Sequence, residues 1–136
     1  RREHAVQGRH QRAAAQRLSR MIRIYGIASC DTCRKARQWL TSAGIEHAWI
    51  DLRTDGITRE RLEQWREVLG DAALINKRSK TWRDFDTKQR QATEADPLPV
   101  LVDHPTLIKR PILETPTTTL AGFSAARYEA ALAGAD

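Results

Sequence analysis

Arg23-Ile24-Tyr25-Gly26-Ile27-Ala28-Ser29-Cys30-Asp31-Thr32-Cys33-Arg34-Lys35-Ala36 decides the fold, because an apolar run ends here in a short loop and a charged helix begins. Both cysteines of the 136-residue chain sit at that junction. A thiol in the first turn of a helix faces unpaired backbone N–H groups and the positive end of the helix dipole, and both favour the thiolate. Cationic Arg34, one turn further on, adds to the same effect. With Cys30 as the cap and Cys33 in the first turn, the two sulfurs can meet without unfolding the helix. The pattern predicts a redox or thiol-transfer site in which Cys30 is the nucleophile and Cys33 the resolving thiol, attacking a mixed disulfide on Cys30 and releasing the partner. Two plainer readings stand beside it: an inert pair of small core residues, or a Cys33 that is buried against the sheet and does no chemistry.

Outward from this stretch, Ile22 to Ile27 reads as a β-strand with Gly26 opening its exit loop, and Asp31 to about Ser42 reads as a helix. Ala36, Trp39 and Leu40 fall on one face of that helix, and Gly44 is its natural stop. His47 to Asp51 is a second strand, so the three elements form a βαβ unit with parallel strands and a right-handed crossover. Thr58 caps a helix carried by Leu62, Trp65, Val68 and Leu69 and ended by Gly70. Residues 74–83 read as a polar, basic connection, Phe85 to Ala95 as a weak helix, and Pro97 to Val102 as a short helix with proline in its first turn. Thr106 to Lys109 is read as a strand running through Arg110-Pro111 into Ile112-Leu113, with Thr117 to Leu120 as its hairpin partner. Ser124 then caps a final helix, Ala125 to Ala133. The predicted class is α/β, in the order β-α-β, a helical middle, β-β, α.

The formal charge of +6 invites a nucleic-acid reading until it is divided by position. Residues 1–20 hold six arginines against Glu3, a charge of +5, which leaves +1 for everything from Met21 onward. The domain itself therefore gives no support for direct nucleic-acid contact. Residues 1–20 show no apolar stripe, and Met21 is the only methionine, so they are expected to be a basic leader, disordered or non-native, before a single domain spanning 21–133, the alternative being a basic arm for nucleic acid or membrane. No apolar run approaches a membrane span, and two neighbouring cysteines do not make a secreted disulfide scaffold, so a soluble, cytoplasmic protein is expected. One Cys-x-x-Cys with isolated histidines makes no structural metal site. There is no Gly-rich phosphate loop, and neither paired carboxylates nor a Ser-His-Asp triad can be argued.

Arg110-Pro111 is the second candidate. A proline between two β-rich runs is where a cis peptide lets the chain present backbone groups to a ligand. In a thioredoxin-like βαβ…ββα layout, a cis-proline at the start of the third strand lies beside the active cysteine. Arg110 would then turn an anion-binding fork to the same place, the alternative being a solvated edge arginine. Arg78, Lys80 and Arg83 form a basic cluster that is either an anion site or a solvated face. Of the four tryptophans, Trp82 alone, between Lys80 and Arg83, is a candidate ligand platform.

Tyr25-Gly26…Cys30-Asp31-Thr32-Cys33-Arg34-Lys35-Ala36, Asp51-Leu52-Arg53, Leu74-Ile75-Asn76-Lys77-Arg78…Trp82-Arg83, Ile108-Lys109-Arg110-Pro111-Ile112 and Gly122-Phe123-Ser124 together resemble the ArsC/Spx/YffB family, and most of all its YffB-like branch. The resemblance implies a thioredoxin-like fold with a helical insertion between strands 2 and 3, chemistry at Cys30, and a basic pocket for an oxyanion or the carboxylates of glutathione. Arg110 matches the arginine that helps bind arsenate in arsenate reductases, and Arg78 a mid-chain arginine of the family. Arsenate reductases of this type carry a histidine where this chain has Gly26, and a third arginine that residues 112–122 lack. The expectation is a thiol-dependent oxidoreductase with no resident cofactor and no metal, taking glutathione as co-substrate, with Arg110, Arg78, Arg34 and Pro111 around an anionic substrate. Two alternatives accompany it. One is an inefficient arsenate reductase that uses glutathione and glutaredoxin; the other is an Spx-like redox-sensing regulator that binds RNA polymerase.

Overall fold

A computed structural model describes residues 21–133, so the expectation for residues 1–20 lies outside the described residues. Strands β1 (Arg23–Gly26) and β2 (Ala48–Asp51) pair in parallel, Arg23 opposite Ala48, and helix α1 (Asp31–Ser42) makes the crossover between them. Strand β3 (Ile112–Glu114) lies antiparallel to β1 on its other side, and β4 (Thr119–Ala121) completes the sheet in the order β2-β1-β3-β4. This is the predicted α/β architecture, a mixed sheet of thioredoxin-like layout with helices inserted between its second and third strands.

Alternation along the strands sorts the core onto two faces. Ile24 and Leu113 point to one side and pack with Ala36 and Leu40 of α1 and with Tyr128 and Leu132 of the last helix, α7 (Ala125–Leu132). Tyr25, Ile112 and Ala121 point to the other and meet Leu62 and Trp65 of α2 (Arg59–Leu69), then residues of the inserted helices. Thr58 Oγ1 caps α2 by accepting from Arg61 N–H, and Gly70 ends it with φ of +78°, as the sequence predicts.

The middle segment is more ordered than its sequence promises. The stretch 74–83, read as a polar connection, follows a short helix, α3 (Asp71–Leu74), and itself turns into α4 (Lys80–Asp84), started by Ser79, whose Oγ accepts from Trp82 N–H at 3.2 Å. Phe85 belongs to the core and not to the helix that follows. α5 (Thr87–Ala95) begins only after a capping box in which Asp86 and Gln89 satisfy each other's backbone N–H groups. The predicted proline-led helix is α6 (Pro97–Asp103).

Thr106 to Lys109 is not the strand its β-branched content predicts. Pro105–Leu107 forms a 3₁₀ turn, and Ile108 makes only an isolated bridge to Ile75. The backbone groups of this run are satisfied locally: Asn76 N–H donates to Leu107 O and Lys109 N–H to Leu74 O, both at 2.8 Å, which docks the run onto the insertion instead of the sheet. The cis Arg110–Pro111 peptide then separates it from β3. The predicted hairpin does form, as β3 and β4.

Glu114, at the end of β3, is 9% exposed and faces the α2 side of the sheet. It accepts from Tyr25 Oη at 2.8 Å, Trp65 Nε1 at 2.7 Å and Arg61 Nη1 at 3.2 Å, with Arg23 Nη1 3.7 Å away. A buried carboxylate is tolerated here because hydrogen-bond donors and opposite charge surround it.

Candidate functional site at the β1–α1 junction

Cys30 is the N-cap residue of α1, with extended backbone (φ −83°, ψ 122°). The preceding turn is closed by Cys30 N–H donating to Ile27 O at 3.0 Å, and the helix opens with Arg34 N–H donating to Cys30 O at the same distance. This places the sulfur over the helix N-terminus, half-buried, while Cys33 one turn on is fully buried; both are free thiols.

The two thiols differ in acidity. Burial pushes Cys30 up, but the backbone N–H and thiol of Cys33, the charge of Arg110 and the N–H of Thr32 outweigh it, so Cys30 titrates below an ordinary cysteine. Burial pushes Cys33 to about 12, helped by the adjacent Cys30 sulfur and only partly opposed by the N–H of Ile27. One sulfur thus ionises more readily than an ordinary thiol and the other is held as thiol.

Arg110 and Pro111 meet this junction from the far side. Pro111 is buried, its carbonyl accepting from Gly122 N–H at 2.8 Å, and Arg110 is steadied by a 3.3 Å hydrogen bond from Nη1 to Thr106 O. The charge of Arg110 is among the causes that favour the Cys30 thiolate. Arg34 instead pairs with Asp31 on the exposed face of α1 and borders a shallow groove of about 530 Å³ with Arg37 and His47.

Arg78 is exposed and lines a cavity of about 390 Å³ with Lys77 and Lys109, and among the described residues no hydrogen bond or ion pair joins it to Cys30. The rest of the predicted basic cluster is split: Lys80 pairs with Asp84 at 3.4 Å. Trp82 is a core residue, with Lys77 and Arg90 over its ring at 5.2 and 5.3 Å, and it offers no open ligand platform. Among the described residues no three of His, Cys, Asp and Glu are gathered as metal ligands would be. No helix among them is long and apolar enough to cross a membrane.

Two neighbours of the cysteines carry roles that sequence patterns do not show. A Cβ on Gly26 would lie 2.4 Å from Cys33 Sγ and 3.1 Å from the ring of Trp49, so the bare backbone is what leaves room for the second sulfur. Asp51, at the end of β2, accepts from Ala28 N–H at 3.1 Å and so touches the loop that carries Cys30. An aspartate closing a strand is a turn signal in sequence, but nothing local indicates that its second oxygen reaches another loop.

Comparison with known proteins agrees with this geometry. An uncharacterized protein of Haemophilus influenzae is 43% identical over 114 residues, covering 83% of this chain and all of that one. The solved structure of a YffB protein is 37% identical with a TM-score of 0.78, covering 82% of this chain and 98% of that one. The global transcriptional regulator Spx 2 of Bacillus anthracis is 26% identical over 106 residues, 76% of this chain and 81% of that one. Residues 25–131, which include both cysteines, the cis-proline and all four strands but for the first two residues of β1, match the model of the ArsC family, and the chain belongs to that family.

Proposed function

We propose that the protein is a thiol-disulfide oxidoreductase that takes glutathione as co-substrate. The observation that carries this reading is the contrast within one helical turn: a half-exposed, acidified Cys30 against a buried Cys33 held as thiol. Cys30 thiolate attacks one sulfur of a disulfide; the S–S bond breaks, the other sulfur leaves as thiolate, and Cys30 becomes a mixed disulfide. That step removes the negative charge beside Cys33, one of the causes that keep it protonated. Cys33 then loses its proton to solvent and attacks Cys30, releasing the second thiol and leaving a Cys30–Cys33 disulfide. Two molecules of reduced glutathione return the pair to dithiol and leave as glutathione disulfide. Arg110 supplies positive charge for a carboxylate of the substrate at the moment of attack.

The arsenate alternative is disfavoured by Gly26. The position that would carry a histidine has no room for a side chain while Cys33 and Trp49 stand where they do. The regulator alternative draws on the Spx relative and uses the same cysteines as a switch, with RNA polymerase as its partner.

Exposure to glutathione disulfide, followed by mass analysis, tests the reading. Wild type is expected to end as an internal disulfide, Cys33→Ser to accumulate one glutathionyl group on Cys30, and Cys30→Ser to remain unmodified. An unmodified Cys30 in wild type overturns the proposal. Robust arsenate reduction lost in Cys30→Ser would favour the first alternative, and polymerase capture that depends on the state of the cysteines the second.

A further inference from the structure

Asp51 is the last residue of β2, and its carboxylate serves two stretches of backbone. Oδ1 accepts from the N–H groups of Arg53 at 2.8 Å and Thr54 at 3.3 Å, closing the turn after the strand. Oδ2 reaches the neighbouring loop and accepts from Ala28 N–H at 3.1 Å. The residue is itself held from behind: its N–H donates to Asp55 Oδ2 at 3.0 Å, and Asp55 N–H donates to Asp51 O at 2.9 Å. Leu52 N–H donates to Gly26 O at 2.8 Å, which carries the β1–β2 pairing one residue past the strands and sets the two loops side by side. Burial, the largest single influence, pushes the carboxyl up, but the N–H groups of Arg53, Ala28 and Thr54 and the charge of Arg53 together outweigh it and hold the carboxyl below the usual range.

Ala28 lies inside the turn closed by Cys30 N–H on Ile27 O, two residues before the cysteine. The turn decides where Cys30 stands relative to the first N–H groups of α1 and to Arg110, the groups that favour its thiolate. We infer that Asp51 is a positioning residue for Cys30: its Oδ2 pins Ala28 and so fixes the turn that seats the sulfur over the helix N-terminus. The inference rests on Cys30 being the reactive thiol. Freed from Asp51, the Ala28 N–H turns to water, the loop samples other conformations, and Cys30 spends less time in the cap position.

Two substitutions separate this role from a merely structural one. In Asp51→Asn the single oxygen is best used on Arg53 and Thr54, which present two donors; the amide NH₂ then faces Ala28 N–H and accepts nothing. The turn after β2 is kept and the link to the cysteine loop is lost. Asp51→Ala loses both. The readout is the pH profile of iodoacetamide alkylation at Cys30, located by mass analysis, beside the melting temperature of each variant. Asp51→Asn is expected to melt close to wild type, yet to show a raised Cys30 pKa and alkylation slowed roughly three- to tenfold at pH 7, the scale of one lost positioning contact. Asp51→Ala is expected to show the same loss of reactivity with a lower melting temperature. A Cys30 profile unchanged in Asp51→Asn overturns the inference. So does a lowered Cys30 pKa, the result expected if Asp51 acted only as a nearby negative charge. Wild-type Cys30 alkylating no faster than an ordinary exposed thiol would instead bring down the functional reading, and this inference with it.

Discussion

Gly26 and Cys33 share one volume, and the consequence is a test at the scale of a single carbon atom. Adding a Cβ at residue 26 places it 2.4 Å from Cys33 Sγ with the Trp49 ring close behind, and the ring is itself pinned by Arg37 at 4.1 Å from its centroid. Overpacking of this kind costs about 1–3 kcal/mol. Gly26→Ala is expected to destabilise the reduced protein by that amount in urea unfolding, and Cys33→Ala in the same chain to recover part of it by removing the sulfur. A loss in the double variant equal to the sum of the two single losses would show that the two positions do not compete for space. Neither this contact nor the source of the charge on Cys30 was legible from local sequence. Spacing places both sulfurs at the helix N-terminus and offers Arg34 as an added cation; only the layout, through the proline after it, points to Arg110. Arg110 is among the causes that lower Cys30, a contribution chain proximity cannot reveal, while Arg34 pairs with Asp31.

Among the elements, β1, β3 and α2 are joined at Glu114. Its hydrogen-bond partners lie 49 to 89 residues away in sequence, so nothing local marks this glutamate as inward-facing. Glu114→Ala leaves Tyr25 Oη and Trp65 Nε1 without an acceptor, each worth about 1–3 kcal/mol, while Arg61 and Arg23 are exposed enough to turn to water. The expected outcome is a loss of about 2–5 kcal/mol by urea unfolding, with Glu114→Gln losing less because one acceptor remains. A loss no larger than that of a surface substitution would contradict this account. The βαβ unit, by contrast, was legible almost to the residue. Its helix shows a clear 3.6-residue apolar face, its strands are short and apolar, and capping and glycine signals mark the boundaries. Thr106 to Lys109 departs from its expected strand for a physical reason: β-branched residues favour extended backbone, but only a partner decides whether that backbone joins the sheet. Here the partner is the 74–76 segment of the insertion.

For the whole molecule, the buried titratable groups set an alkaline limit. Burial raises Tyr25, Tyr128 and Cys33 above their ordinary values, with Glu114 adding to Tyr25 and Cys33 to Tyr128. A group whose folded pKa is raised keeps its proton in the folded state after the unfolded chain has released it. Its stabilisation is full below the ordinary value and is lost as pH rises. For the cysteine that ordinary value is 9.0 and for the tyrosines 10.0. Cys30, with its lowered pKa, has the opposite sign: its contribution is complete above 9.0 and is lost as pH falls through the lowered value. The melting temperature of the reduced protein is therefore expected to decline from about pH 9 upward, and less steeply in Cys33→Ala. A flat profile to pH 11 would show that these groups ionise without unfolding.

The order β2-β1-β3-β4 makes neighbours of two strands separated by the entire helical insertion. Cys30 follows one of them, and Arg110-Pro111 leads into the other. Before β3 docks, Cys30 has its own helix turn but lacks the arginine, so its nucleophilicity is a chemical clock for chain assembly. A pulse of alkylating agent during refolding would label Cys30 slowly while the two halves are apart and quickly once they join, timing the closure of the sheet through the thiol.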